Sequence, residues 1–222
     1  MSEENAIRVG FFIGIFAVAA ICELLVPRRR LTTSKTARWV SNLCINFLNP
    51  IFVNLIFPVL AIGMAVKAQE GGWGLLNNIE INSWQAIIIS VVALDFVIYI
   101  QHVLFHSVPT LWRLHMVHHS DLDIDVTTGL RFHPIEIVIS LAIKIAAVVV
   151  IGPHVMAVLI FEIVLNASSM FNHGNLRLPL GLDRILRLIV VTPDMHRVHH
   201  SVVIRETNSN FGFNLPWWDR LF

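Results

Sequence analysis

The sequence predicts an all-α fold: an integral membrane helical bundle of about three to five transmembrane helices, with a histidine-rich cap on the cytoplasmic side. Three observations predict it. Apolar residues make up 55% of the 222 and charged residues 14%, with a mean hydropathy of +0.69, whereas soluble domains carry roughly 25% charge. The apolar residues are gathered into runs long enough to cross a bilayer. Histidines crowd into three short motifs, His102/His106, His115/His118/His119 and His196/His199/His200.

The first element is a span over 7–26, about the twenty residues that the hydrocarbon core requires. It follows MSEEN and has no small-residue cleavage site, so a retained span is expected and not a removed signal peptide. Arg28, Arg29, Arg30, Lys35 and Arg38 come next, a basic loop that belongs on the cytoplasmic side. A second span, 40–66, is interrupted by Pro50 and Pro58, which predict a kink or tilt. The stretch AQEGGWGLLNNIEINSW reads as an outer loop with interfacial tryptophans. A third span, 84–104, returns to the cytoplasmic side and ends on His102 and His106. Two further apolar runs, 135–151 and 155–171, flank Gly152-Pro153-His154. They form a helical hairpin, either two crossings or a shallow re-entrant loop, and everything after 171 is expected to be cytoplasmic. No internal repeat or low-complexity linker divides the chain, so a single membrane domain is expected.

Charge tests this topology. Of the sixteen Lys and Arg, all but Arg8, Lys67 and Lys144 fall in segments that it calls cytoplasmic. The same topology puts all three histidine motifs on one side of the membrane. Nothing in the composition suggests nucleic-acid binding. Cys22 and Cys44 both lie in apolar runs and read as packing residues, which excludes a disulfide framework or a cysteine zinc ribbon.

On a helix, residues three and four apart share a face. Each motif therefore presents its imidazoles to one side, and three such faces can enclose two metal ions. One tetrahedral zinc takes at most four ligands, so eight histidines are too many for a single zinc. Soluble di-iron bundles use Glu-x-x-His, which is absent here, and Val103 and Met116 stand where H-E-x-x-H would need its glutamate. Imidazole suits iron, zinc, copper and nickel alike. The residues thus predict a polynuclear site without naming its metal. A histidine-rich metal-binding membrane protein or transporter without oxygenase activity is the competing reading, although transport predicts ligands along a path through the membrane.

Other residues have weaker claims. His173, in FNHGNL at the end of the last apolar run, is placed to be a ninth ligand. His133, in RFHPIE, is a candidate ligand, a partner of a ligand, or the start of a helix at Pro134. His154 lies across the membrane and is expected to be structural. Asp95 shares a helical stripe with Tyr99, His102 and His106, and an acid within a span is a functional candidate, here for orienting a ligand imidazole. Asp95 and His133 are therefore the candidate catalytic residues besides the ligands. Asp121, Asp123 and Asp125 mimic the start of a calcium loop, but Val126 replaces its glycine and Phe132 its final glutamate.

The phrases LWRLHMVHHSD, TTGLRFHPIE, TPDMHRVHHS and NFGFNLPWWDRLF, with the spacing of the motifs, resemble the fatty acid hydroxylase and sterol desaturase superfamily, in particular its bacterial sterol-desaturase-like branch. The likeness covers 84–222. It implies a bound pair of iron ions, for which zinc can substitute during purification, with His102, His106, His115, His118, His119, His196, His199 and His200 as ligands and His173 as the additional histidine. Some members have two histidines near the last apolar run, where Ser169 and Arg177 flank His173 here. The resemblance also implies an oxidoreductase that hydroxylates or desaturates a fatty acyl, sterol or related chain of a membrane lipid, with O2 as co-substrate and electrons from a ferredoxin, a cytochrome b5-like protein or a reductase. The expected place is a bacterial inner membrane with the site on the cytoplasmic face. Members are expected to continue beyond Asp219-Arg220-Leu221-Phe222, so a missing C-terminal segment is expected as well.

Overall fold

The computed structural model describes residues 3–222, and among these no strand occurs beyond one isolated bridge between Pro27 and Leu176. The helices are α1 (Glu3–Leu25), α2 (Lys35–Ile56), α3 (Ala61–Gly71), α4 (Ser83–Ser107), α5 (Pro109–His119), α6 (Pro134–Ile151), α7 (Val155–Asn172), α8 (Leu180–Leu186) and α9 (Pro193–His199). One-turn helices follow at Ile204–Thr207 and Trp218–Leu221. Five stretches are long and apolar enough to cross a membrane, and the chain is an integral membrane protein.

Local chemistry sets the helix ends. Ser34 caps α2 by accepting from the Ala37 N–H, and Asn82 caps α4 by accepting from the Gln85 N–H at 2.9 Å. Proline opens α5, α6 and α9, where the missing N–H costs nothing. Gly152 ends α6 in the left-handed region, φ 66°. A side chain there would collide with the Trp73 carbonyl, because the loop after α3 lies against the α6–α7 turn.

Where the sequence predicts one helix over 40–66, the structure has two. Pro50 is accommodated inside α2, but Pro58 coincides with a break at 57–60. Its ring excludes a regular helical turn before it. The eleven-residue α3, about 16 Å long, packs on α6 and α7 through Ala61 and Ala65, whose small side chains allow close approach. Leu94, Ile98, Leu141, Val148, Val158 and Phe161 complete that core.

The bundle has two unlike ends. At one, the 72–78 loop meets the α6–α7 turn. At the other, the segments after α1, α5 and α7 are laced together. Arg38 binds Asp121 Oδ1 and Asp125 Oδ2 at 2.6 Å each and also reaches the Asp123 carbonyl. Asp123 accepts the N–H groups of Thr32 and Thr33 at 2.7 and 2.9 Å. Buried Glu23 accepts from the N–H groups of Val126 and Asn175 at 2.7 and 2.8 Å. The acidic triplet is thus a structural lock. Burial acts to raise the Asp121 carboxyl, but bonds from Arg38, Thr128 and Asn42 hold it below the usual range. Arg38→Ala leaves buried carboxylates uncompensated, and a loss of about 3–5 kcal/mol is expected. Denaturant unfolding in detergent checks this, and a loss below about 1 kcal/mol would contradict the lock.

A second ionic group lies within the spans, where Glu162 on α7 bonds Arg8 on α1 at 3.1 Å and Lys144 on α6 at 3.2 Å. These are two of the three basic residues that the charge pattern leaves outside the cytoplasmic segments. They are paired as intramembrane charges usually are.

The sequence places everything after 171 in a cytoplasmic cap, but the structure returns part of it along α4. Asp95 is buried and accepts from the Trp218 indole at 2.8 Å and the Asn214 N–H at 3.3 Å. It lies twelve residues before Ser107, about 18 Å along the helix. Trp218 and Phe222 pack on Phe96 at ring-centroid distances of 4.7 and 5.7 Å.

Candidate metal centre

Four elements bring nine histidines together at the laced end. α4 supplies His102 and His106 from one face, α5 supplies His115, His118 and His119, the end of α7 supplies His173, and α9 with its C-cap supplies His196, His199 and His200. They form two groups. His102, His106, His115, His119 and His199 make the first, and His118, His173, His196 and His200 the second, with the potential ligand atoms of each group within 4.8 Å of one another. The groups adjoin: the rings of His119 and His200 stack at 4.2 Å, and those of His115 and His118 are 5.2 Å apart. The α5 motif is divided between the groups: His115 and His119 join the first, and His118, beside them at the edge of the same helix face, joins the second.

The hydrogen bonds fix most tautomers. Nδ1 of His102 meets the Phe211 carbonyl at 2.7 Å, that of His118 the Arg131 carbonyl at 3.2 Å, that of His173 the Ser169 carbonyl at 2.7 Å, and that of His199 the Ser209 carbonyl at 2.8 Å. His115 Nδ1 meets the Glu136 carboxylate at 2.6 Å, and His106 Nδ1 the Asn208 side-chain oxygen at 3.3 Å. These oxygens accept, so each Nδ1 carries the proton and each Nε2 keeps its lone pair.

Those lone pairs converge. Nε2 of His106, His115, His119 and His199 is buried without a partner. Nε2 of His173 lies 3.0 Å from that of His118, 3.1 Å from that of His200 and 2.9 Å from that of His196. His118 and His173 thus face each other as two acceptors, a contact that is unfavourable without a cation between them. Nitrogens bound to one ion at about 2.0–2.1 Å and at right angles lie about 3 Å apart, so the spacing fits shared ligation. The donor set therefore fits metal binding.

Burial lowers the basicity of the same rings. His115, His118, His196, His199 and His200 are held well below 6.5, first by burial and then by neighbouring imidazoles, and His173 is lowered to about 4 by burial. In metal-free protein the unfolded chain takes up protons near pH 6.5 that the folded centre refuses. This stability is therefore complete above that pH and is lost as pH falls towards the folded values. The metal-free melting temperature is expected to drop between pH 7 and 5, and metal-loaded protein should resist until its ligands protonate. A flat metal-free profile would show that the histidines are not packed as neutral rings.

The remaining sequence candidates fall outside the two groups. His133 is the N-cap of α6, its Nδ1 accepting from the Ile135 N–H at 3.1 Å, so the helix-start alternative is the one that the contacts match. His154 caps α7 in the same way at the opposite end of the bundle. Asp95 bonds no histidine; it anchors the 214–218 segment, and Phe211 just before that segment orients His102.

No motif in the sequence singles out Glu136. It is buried in the first turn of α6 and orients His115. The one available signal is its position two residues after Pro134 in RFHPIE.

Beside the histidines is a cavity of about 40 Å³, walled by Ile98, Phe105, Phe132 and Phe213 and bounded by Gln101, Glu136, His102, His115 and His118. It touches both groups, through His102 and His115 of the first and His118 of the second.

The sequence model described as "Fatty acid hydroxylase" matches residues 87–222. The ornithine lipid hydroxylase OlsE of Rhizobium tropici is 33% identical over 135 residues, covering 61% of this chain and 40% of that protein. Alkylglycerol monooxygenase of Homo sapiens is 30% identical over 133 residues, and that of Xenopus tropicalis 32%, each match covering 58% of this chain and 28% of the relative. The matched region is thus less than half the length of these relatives. No solved structure matches the chain significantly.

Proposed function

The chain belongs to the fatty acid hydroxylase family, and on that premise we propose that it is a membrane-bound non-haem di-iron oxygenase that hydroxylates a lipid. The observation that carries this reading is the convergence of two adjoining groups of inward-facing Nε2 atoms beside an apolar cavity. In this reading His102, His106, His115, His119 and His199 hold one ion, and His118, His173, His196 and His200 the other. Bound iron would supply the O2 activation and one-electron chemistry that side chains lack; imidazole suits it.

The balance is one lipid C–H, one O2, two electrons and two protons giving one C–OH and one water. The electrons come from a reducing partner such as a ferredoxin, a cytochrome b5-like protein or a reductase. The chain's own residues position the parts. Glu136 and the carbonyls of Phe211, Arg131, Ser169 and Ser209 fix the ligand rings, and Phe105, Phe132 and Phe213 give the cavity an apolar wall that disfavours water and suits an alkyl chain. The names of the relatives, an ornithine lipid hydroxylase and alkylglycerol monooxygenases, favour oxygen insertion over desaturation and a lipid with a polar headgroup. The concentration of Lys and Arg at the histidine end favours the cytoplasmic face, and the likeness to a Rhizobium protein favours a bacterial inner membrane.

Lipid mass spectrometry of cells with the wild-type gene, without it, and with His199→Ala tests the reading. A hydroxylated lipid, 16 mass units heavier, should appear only with the wild type. Identical lipid profiles in all three strains, with wild-type protein present and iron-loaded, would refute it. A transport role would need ligands along a path through the bilayer, whereas both groups lie at one end and the intramembrane charges pair with one another.

A further inference from the structure

The cavity beside the metal centre is apolar except for its histidines and two side chains, and these two are incompletely paired. Glu136, 4% exposed, spends Oε1 on His115, and its Oε2 has no partner. Gln101 uses its amide nitrogen on Ser140 Oγ at 3.0 Å, and its Oε1 is buried without a partner. Exchanging the amide's two ends leaves the same deficit, since one end still binds Ser140 and the other binds nothing. Unpaired polar atoms against an apolar wall are costly, which makes the free end of Gln101, held in place by Ser140, a site for a ligand that supplies the missing bond.

Position says which ligand. On α4, Gln101 lies between the exposed Ile100 and Leu104 and the buried Ile98 and Phe105. On α6, Ser140 is one turn beyond Glu136, about 5.4 Å farther from the histidine end. The Gln101–Ser140 bond therefore bridges the α4–α6 seam between the lipid-exposed stripe of α4 and the cavity that touches both histidine groups. A cavity of about 40 Å³ holds about two or three water-sized groups. That suffices for a short piece of chain with a polar atom, while the rest of the lipid stays in the seam and the bilayer.

We propose that Gln101 and Ser140 are a substrate-positioning pair. Ser140 holds one end of the Gln101 amide, and the free end hydrogen-bonds an oxygen or nitrogen function of the lipid, so that the carbon next to that function faces His102, His115 and His118. The inference rests on the lipid-oxygenase reading and deepens it: the oxidised carbon is adjacent to a polar group and not in the middle of an alkyl chain. Mid-chain oxidation would need an apolar lining alone.

Binding of radiolabelled 1-hexadecanol and hexadecane to the purified, metal-loaded protein without O2 tests this independently of turnover. Wild type should prefer the alcohol by about tenfold, the worth of one hydrogen bond. Gln101→Leu should abolish the preference through weaker alcohol binding with hexadecane unchanged, Ser140→Ala should reduce it, and Ser140→Thr should keep it. Metal content and melting temperature identify variants that have lost the fold. No preference in wild type, or an unchanged preference in folded Gln101→Leu, overturns the proposal. Should the preference behave as expected while cells make no hydroxylated lipid, the pair stands as a lipid site and the oxygenase reading fails instead.

Discussion

Replacing His173 by alanine is expected to lower bound metal from two ions per chain to one or fewer and to abolish lipid hydroxylation. Its Nε2 lies 2.9–3.1 Å from three other Nε2 atoms and is the one nitrogen common to all the close pairs in its group. Losing it leaves three nitrogens around a gap. The loss of activity should exceed the roughly 10–100-fold typical of removing an outer hydrogen-bond partner. Metal analysis of protein purified without air reads the first effect directly. His133→Ala is the control: it removes a helix cap, costs about 1 kcal/mol of stability and should leave the metal count unchanged. Two ions retained in His173→Ala would remove this residue from the centre.

The second large effect is expected at Glu136. Glu136→Leu leaves the buried His115 Nδ1–H without an acceptor, which costs about 1–3 kcal/mol and frees the ring to turn. Metal affinity should fall by about 10–100-fold, seen as faster removal by a chelator. Glu136→Gln keeps an acceptor oxygen, so a smaller loss is expected from it than from leucine. Equal losses in the two variants would mean that Glu136 acts through its volume and not through the hydrogen bond.

The contrast between these two residues shows what a sequence can reveal about such a site. The eight motif histidines are legible because each motif is local, with helical spacing alone putting its rings on one face. His173 has no motif and is reached only by following the topology to the end of the last apolar run. Glu136 is not reachable in this way. Its partner is twenty-one residues away on another helix, and only the packing of α5 on α6 reveals the pair. Asp95 misleads for the same reason. Its helical stripe includes His102 and His106, but burial beside the returning C-terminal segment turns its carboxylate towards Asn214 and Trp218. Pro58 is legible as an interruption, but whether it kinks a helix or ends it depends on α3 finding a surface on α6 and α7.

α9 is seven residues long, yet with its C-cap it supplies His199 to the first group and His196 and His200 to the second. Neither group is complete until this one short helix docks. On the two-ion reading, capture of either ion would hold α9 in place and preorganise the other site, so binding of the two would be thermodynamically linked and the half-loaded protein is expected to be scarce at equilibrium. The order of synthesis adds to this. α4, α5 and the end of α7 precede α9 in the chain, so the first ligand set is not complete before His199 has been made, nor the second before His200. On the two-ion reading, metal loading would therefore be a late event in the life of the chain, with the two ions arriving as a pair.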